Sequence, residues 1–317
     1  MSGTTQRVGP NDVRTVTCAG TGVIGGGWVA YFLARGYQVR AWDPAPDFEP
    51  RLRHLVDQAW PALTELGLAA AASRHNLTVE HDLAAAVDGT DFVQESAPED
   101  LELKQRLLAE LDAVTAKPVV ISSSTSGFAM SEMQVRCISP ERTVVAHPFN
   151  PPYLIPLVEV VGGARTTPET TAWTADFFRA AGKSVITMDR EVPGFIANRL
   201  QEALWREALH MVAAGEATVE QIDLSITDGP GLRWPIHGPC MTFHLAGGQG
   251  GMAHMLDHFG PSLQSPWTRL VAAELTPDLR EAMVQGCERE AAGRSIDELI
   301  AERDRGVIAV LRALGRV

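Results

Sequence analysis

Between Val13 and Asp43 the chain carries the pattern that most restricts its fold. Residues Val13–Gly20, VRTVTCAG, are rich in β-branched side chains and end at glycine, which reads as a buried strand. The turn Gly20-Thr21-Gly22-Val23-Ile24-Gly25 follows, and GWVAYFLARG reads as a helix stopping at Gly36. YQVRAWD is then a second strand, closed by Asp43. A glycine-rich hexamer alone arises by chance, but between a strand and a helix, with an acid ending the next strand, it has a physical purpose. Gly20 permits the tight turn, Gly22 lets backbone approach a pyrophosphate, and Gly25 lets helix and strand pack closely. The helix start offers N–H groups and the positive end of its dipole to phosphates. Gly20, Thr21, Gly22, Val23, Ile24, Gly25 and Asp43 are therefore the expected dinucleotide contacts. Asp43 would accept hydrogen bonds from both ribose hydroxyls and repel a 2′-phosphate, and no arginine follows directly in DPAPDFEP, so NAD is expected rather than NADP. FAD uses the same turn and is the rival cofactor.

The elements that follow keep alternating. DFEPRLRHLVDQAWPALTELG has helical spacing, with Pro61 expected to kink or interrupt it. NLTVE and TDFVQES read as short strands, DLELKQRLLAELDAVT as an amphipathic helix, and KPVVISSSTSG and ERTVVAHPFN as further strands. After VPGF the character changes: IANRLQEALWREALHMVAAG is a long helix, and no strand is worth naming beyond it. The expected fold is α/β, a doubly wound, mainly parallel sheet of Rossmann type, followed by an all-helical C-terminal domain. The boundary is expected near Glu191–Gly194, giving an NAD-binding domain over 1–190 and a helical substrate and dimerisation domain over 191–317.

Composition removes several classes of function. A formal net charge of -12 argues against nucleic acid or an anionic membrane as partner. No signal-peptide pattern and no membrane-length apolar run is present, and a cytoplasmic protein is expected. The polar first dozen residues read as frayed. Cys18, Cys137, Cys240 and Cys287 are far apart and read as buried, reduced thiols. His254 and His258 lie four apart, as metal ligands on a helix would, but without the acid of an H-E-x-x-H motif or an evident third ligand, so no metal is expected.

Chemistry in open α/β sheets occurs beyond the carboxyl ends of the strands. The SSSTSG loop and His147 both follow strands, so both should face the nicotinamide. Histidine titrates near neutrality and can take a proton from an alcohol while hydride leaves the same carbon. In HPFNPPYLIPLVEVVGG, Glu159 stands twelve residues past His147 across a proline-rich turn and could fold back to orient the ring. From the residues alone the alternative, a strand cap and a chance acid, stays open. Ser126 could equally cap a helix, and Asn198 could be a polar residue on a helix face.

The set GTGVIGGGW, QESAPEDLELK, SSSTSG, HPFNPPYLIPLVEVV and VPGFIANRL, in this order and over nearly the whole chain, resembles the L-3-hydroxyacyl-CoA dehydrogenase family. The resemblance implies His147 as catalytic base, Glu159 as its carboxylate partner, Ser126 as a hydroxyl on the substrate oxygen and Asn198 as a holder of the reacting oxygen. It further implies Glu99 and Lys104 near the nicotinamide end, and a homodimer. The family often has asparagine before the threonine of the serine loop; here Ser124 stands there.

Within the family, AWDPAP, FVQESAPE, EALWREALH, GPGLRWP and HLAGGQGGM look like the versions in members acting on carnitine or a similar short 3-hydroxy acid. A trimethylammonium group offers no conventional hydrogen bond, so aromatic faces must hold it. Phe149 is the first candidate, with Tyr153, Trp234 and Phe243 after it, although each could be core. Arg199 or Arg233 could meet a substrate carboxylate. L-gulonate or a short 3-hydroxyacyl-CoA are the alternative substrates, and a non-catalytic, crystallin-like NAD-binding protein is the alternative of another class.

Overall fold

A computed structural model describes residues 6–260, 268, 269, 271 and 273–317. The strands are β1 (Thr15–Ala19), β2 (Gln38–Trp42), β3 (Leu77–Glu80), β4 (Phe92–Glu95), β5 (Val120–Ser123), β6 (Thr143–Pro148), β7 (Leu157–Val161) and β8 (Ser184–Met188). The helices are α1 (Val23–Ala34), α2 (Phe48–Leu66), α3 (Leu83–Val87), α4 (Leu101–Val114), α5 (Met130–Met133), α6 (Pro168–Ala180), α7 (Ala197–Ala213), α8 (Val219–Thr227), α9 (Pro239–Ala246), α10 (Gly251–Phe259), α11 (Pro277–Ala291) and α12 (Ile296–Ala313).

The strands form one sheet in the order β3-β2-β1-β4-β5-β6-β7-β8. Every neighbouring pair is parallel except β6 with β7. The exception follows from chain length: residues 149–156 are too few for a helical crossover, so the chain can only turn back. Strand order reverses between β1 and β4, which opens the ligand crevice beyond their carboxyl ends. Successive strand residues feed opposite cores, Phe92 against Val93, Val120 against Ile121 and Val144 against Val145. Trp28, Phe32, Phe177 and Phe178 of α1 and α6 cover one face; Leu107, Leu108, Met130 and Met133 of α4 and α5 cover the other. Arg142 is buried against Asp112, 2.7 Å away. Burial would raise the Asp112 carboxyl, but the Ser139 N–H, Arg142 and the Ile138 N–H hold it below its usual range.

Three expectations change. α2 runs unbroken through Pro61, because proline and the Asp57 carbonyl it strands lie on the exposed side, while Leu52, Val56, Ala59 and Leu63 stay buried. Residues 1–5 lie outside the described residues, but from Arg7 the chain is tied down: Arg7 donates to the Pro118 carbonyl at 2.9 Å, and Trp173 donates to that of Val8 at 2.8 Å. Cys18 and Cys137 are buried, whereas Cys240 and Cys287 are exposed.

The chain divides into two compact units, 1–198 and 199–317, whereas sequence put the boundary at 190/191. Residues 191–198 stay with the first unit because they are bonded to it: Glu191 accepts from the Ser131 N–H at 2.8 Å, and the Ile196 and Ala197 N–H groups donate to Glu159 at 3.0 Å each. The second unit contains only helices among its described residues. Thr218 and Ser295 open α8 and α12 with reciprocal capping boxes. Gly286 of α11 meets Val219 of α8 so closely that a Cβ would come within 2.3 Å of its methyl. His254 and His258 stack on α10 with ring centroids 5.8 Å apart.

Candidate active site

The glycine turn has the shape its residues require. Gly20 has φ +92°, and a Cβ there would meet the Ser96 backbone at 2.7 Å. A Cβ on Gly25 would lie 1.9 Å from the Gly20 carbonyl oxygen, so helix and strand could not close. A Cβ on Gly22 would meet nothing within 4 Å. That open side lies at the N-terminus of α1, where no side chain caps the helix and no acid stands in the first turn. Half-buried Asp43 accepts from the Thr21 N–H at 2.9 Å and hydroxyl at 3.0 Å with one oxygen, and from the Ala45 N–H at 3.0 Å with the other. These residues fit a dinucleotide: Gly22 leaves room for a pyrophosphate, Val23, Ile24 and Gly25 begin the helix that faces it, and Asp43 is braced at the end of β2.

Past β4 and β5 a second group forms. Glu99 gathers the serine loop on one carboxylate oxygen, accepting from the Thr125 hydroxyl at 2.6 Å and the Ser126 and Gly127 N–H groups at 2.9 and 3.1 Å. The Ser126 hydroxyl reaches the same oxygen at 3.3 Å. Burial would raise the Glu99 carboxyl, but Thr125, Lys104 and these N–H groups outweigh it and lower it. Lys104 lies 3.5 Å from the other oxygen of Glu99 and 3.0 Å from Glu95. Ser126 does not cap α5, whose N-cap is Ala129. Ser124, where the family often has asparagine, accepts from the Trp28 indole at 3.2 Å and the Gln94 amide at 2.7 Å, and its hydroxyl lies 2.9 Å from that of Ser96.

His147 and Glu159 are directly opposed in the antiparallel register of β6 and β7. His147 Nδ1 lies 2.9 Å from a Glu159 carboxylate oxygen, and both side chains are buried. The other Glu159 oxygen accepts the Ile196 and Ala197 N–H groups at the start of α7. Burial would raise the Glu159 carboxyl, but the His147 hydrogen bond and the Ala197 and Ile196 N–H groups hold it below the usual range. A carboxylate only accepts, so Nδ1 carries a proton, and in the neutral ring Nε2 presents a lone pair. Asn198 donates its amide to the Ser126 carbonyl at 2.8 Å and stands 3.5 Å from His147 Nε2. Phe149 and Phe195 flank the imidazole, with ring centroids at 4.7 and 5.3 Å.

The first unit thus brings together His147, Glu159, Asn198, Ser126, Glu99, Lys104 and Phe149. Tyr153, by contrast, packs against the core around α1. Trp234 and Phe243 belong to the second unit, the first half-buried and the second exposed. Sequence reasoning missed Glu95 and Phe195. Glu95 is fully buried, ion-paired with Lys104 and hydrogen-bonded by the Ser123 hydroxyl; an acid inside an apolar strand was its only signal. Phe195 adopts φ 54°, which no neighbouring residue announces.

Among the described residues, no cluster of three or more His, Cys, Asp or Glu could hold a metal, and no helix is long and apolar enough to cross a membrane. Residues 15–192 match the family model for the 3-hydroxyacyl-CoA dehydrogenase NAD binding domain, and residues 194–284 that for its C-terminal domain. The L-carnitine dehydrogenase of Streptomyces coelicolor is 69% identical over 97% of this chain and 97% of its own. The L-carnitine dehydrogenase of Nocardiopsis dassonvillei is 69% identical over 98% of this chain and 94% of its own. Among solved structures, a 5-formyl-3-hydroxy-2-methylpyridine 4-carboxylic acid 5-dehydrogenase, an NAD+-dependent dismutase, superposes with a TM-score of 0.80 at 28% identity, covering 96% of this chain and 99% of that one. The glycine turn with its braced acid and the buried histidine–carboxylate couple lie within the matched NAD-binding region, and with both family domains matched in order this chain belongs to the 3-hydroxyacyl-CoA dehydrogenase family.

Proposed function

We propose that the chain oxidises the 3-hydroxyl of L-carnitine to 3-dehydrocarnitine, with His147 as general base and Glu159 as its partner. The observation that carries the mechanism is the 2.9 Å contact between His147 Nδ1 and a carboxylate held in its charged form. This contact leaves Nε2 free to take the hydroxyl proton, and the charge that then forms on the ring is neutralised by Glu159. The chemistry that bound NAD supplies is acceptance of the hydride from the same carbon. Phe149 and Phe195 restrict rotation of the imidazole. Asn198 supplies a donor beside Nε2 for the reacting oxygen, the Ser126 hydroxyl turns to that oxygen from its 3.3 Å contact with Glu99, and Glu99 and Lys104 set the serine loop.

Phe149 is proposed to give its face to the trimethylammonium group. Support for carnitine over other 3-hydroxy acids comes from the relatives that carry that activity in their names. We further propose a cytoplasmic homodimer. Its support is the apolar surface of the second unit, where Leu200, Leu204 and Trp205 of α7 and Leu245 of α9 are each about half exposed. Two measurements test the proposal. The first is NADH formation with carnitine, L-gulonate and 3-hydroxybutyryl-CoA side by side. Carnitine should be preferred by kcat/KM, and preference for either rival would overturn the substrate assignment. The second is mass in solution by light scattering, where a monomer would remove the dimer.

A further inference from the structure

Lys183 is a buried cation-forming group that the proposed chemistry does not use. It follows Gly182, whose φ of +92° ends α6 and turns the chain inward. The side chain is buried and, among the described residues, forms no ion pair with a carboxylate. Its amino group instead lies 3.9 Å from the Tyr31 ring centroid and 5.0 Å from that of Trp28, both on α1. It donates to the carbonyls of Pro152 and Ile155, the latter at 3.0 Å. Both carbonyls belong to the loop between β6 and β7, which carries Phe149 beside His147. From the α1 side the same loop is seated by Gly27, where a Cβ would come within 2.8 Å of the Pro152 ring. The Trp28 ring under Lys183 also donates its indole N–H to Ser124 of the serine loop.

We propose that Lys183 is a positioning residue: it staples the 149–156 loop beneath α1 and thereby sets where Phe149 stands against the imidazole. Two carbonyls on one amine leave the loop few ways to shift, and the aromatic faces fill the space a counter-ion would occupy. Burial first, and the charge of Arg35 second, push the amine well below its usual range. A neutral amine still donates two hydrogens, so the staple does not depend on the proton. The consequence for substrate rests on the reading of Phe149 as a cation contact.

Lys183→Met keeps the length and removes the donors. Hydrogen exchange should show the Leu154 and Ile155 amides, which both donate to Pro151, losing protection by about tenfold. The carnitine KM should rise by about tenfold, with the NAD Kd within about twofold. In a double-mutant cycle, adding Lys183→Met to Phe149→Ala should raise KM by no more than about twofold, since Phe149 no longer needs placing. Fully multiplied effects would overturn the coupling. Unchanged exchange at Leu154 and Ile155 would overturn the staple whatever Phe149 does. Lost protection together with a Phe149→Ala enzyme of unaltered carnitine KM would discard the Phe149 reading and keep the staple. If Lys183→Met does not fold, Lys183→Leu, which also removes both donors, carries the same exchange measurement, with the same two outcomes.

Discussion

Replacing Glu159 by glutamine changes one oxygen to an amide nitrogen while keeping size and shape. The remaining oxygen can still accept the Ile196 and Ala197 N–H groups, so the start of α7 stays anchored. The new NH₂ group then points at His147 Nδ1, 2.9 Å away in the parent. Two donors cannot share that contact, so Nδ1 must give up its proton and Nε2 must hold one. The base is thereby blocked in its neutral form, and the charge that stabilised the protonated ring is also gone. Together these losses should lower kcat by roughly 10³-fold, about 4 kcal/mol of barrier. Folding stability should fall by only about 1–2 kcal/mol, the scale of one altered buried hydrogen bond. The assay is steady-state NADH formation with carnitine, alongside an NAD titration by quenching of tryptophan fluorescence and a urea melt. A Glu159→Gln enzyme folded, NAD-competent and within about threefold of the parent kcat would refute the tautomer assignment.

Gly22→Ala should leave the urea midpoint unaltered, because its Cβ meets nothing within 4 Å, yet weaken NAD by about tenfold or more. Gly25→Ala, whose Cβ would lie 1.9 Å from the Gly20 carbonyl, should destabilise the fold by about 3 kcal/mol or more; equal behaviour of the two variants would contradict the turn geometry. Asp43→Asn should weaken NAD by about tenfold and narrow its advantage over NADP, read from paired titrations; an unchanged NAD to NADP ratio would remove Asp43 from the ribose. Glu99, Asp112 and Glu159 all have folded pKa values below their ordinary ones. Their contribution to stability is therefore present above the ordinary carboxylate range and lost as pH falls through the lower folded values. Urea midpoints should drop across that acid interval, and a flat profile there would contradict the shifts.

Much of the nucleotide half was legible because its glycines act locally. Gly20 needs a positive φ, and Gly25 needs the absence of a Cβ, and both needs are written into a strand–turn–helix pattern. Pro61 misled because the cost of proline depends on which side of a helix its stranded carbonyl faces, and that is decided by tertiary burial. The His147–Glu159 couple was visible only as a possibility. Its register depends on β7 turning back antiparallel, and the signal for that was the shortness of NPPYLIP rather than either ionisable residue. Glu95 and Lys104 stand nine residues apart, on a strand and the following helix, and no periodicity links them. Lys183 was silent for a similar reason: AGKSV does not announce a side chain that turns under α1 to reach carbonyls about thirty residues earlier.

The most direct test is His147→Ala, measured twice on the same preparation, once for NAD affinity and once for carnitine turnover. An imidazole that acts only as the base predicts an NAD Kd within about twofold of the parent and a kcat lower by about 10³-fold or more. Turnover at the parent rate, with NAD still bound, would contradict the assignment of His147.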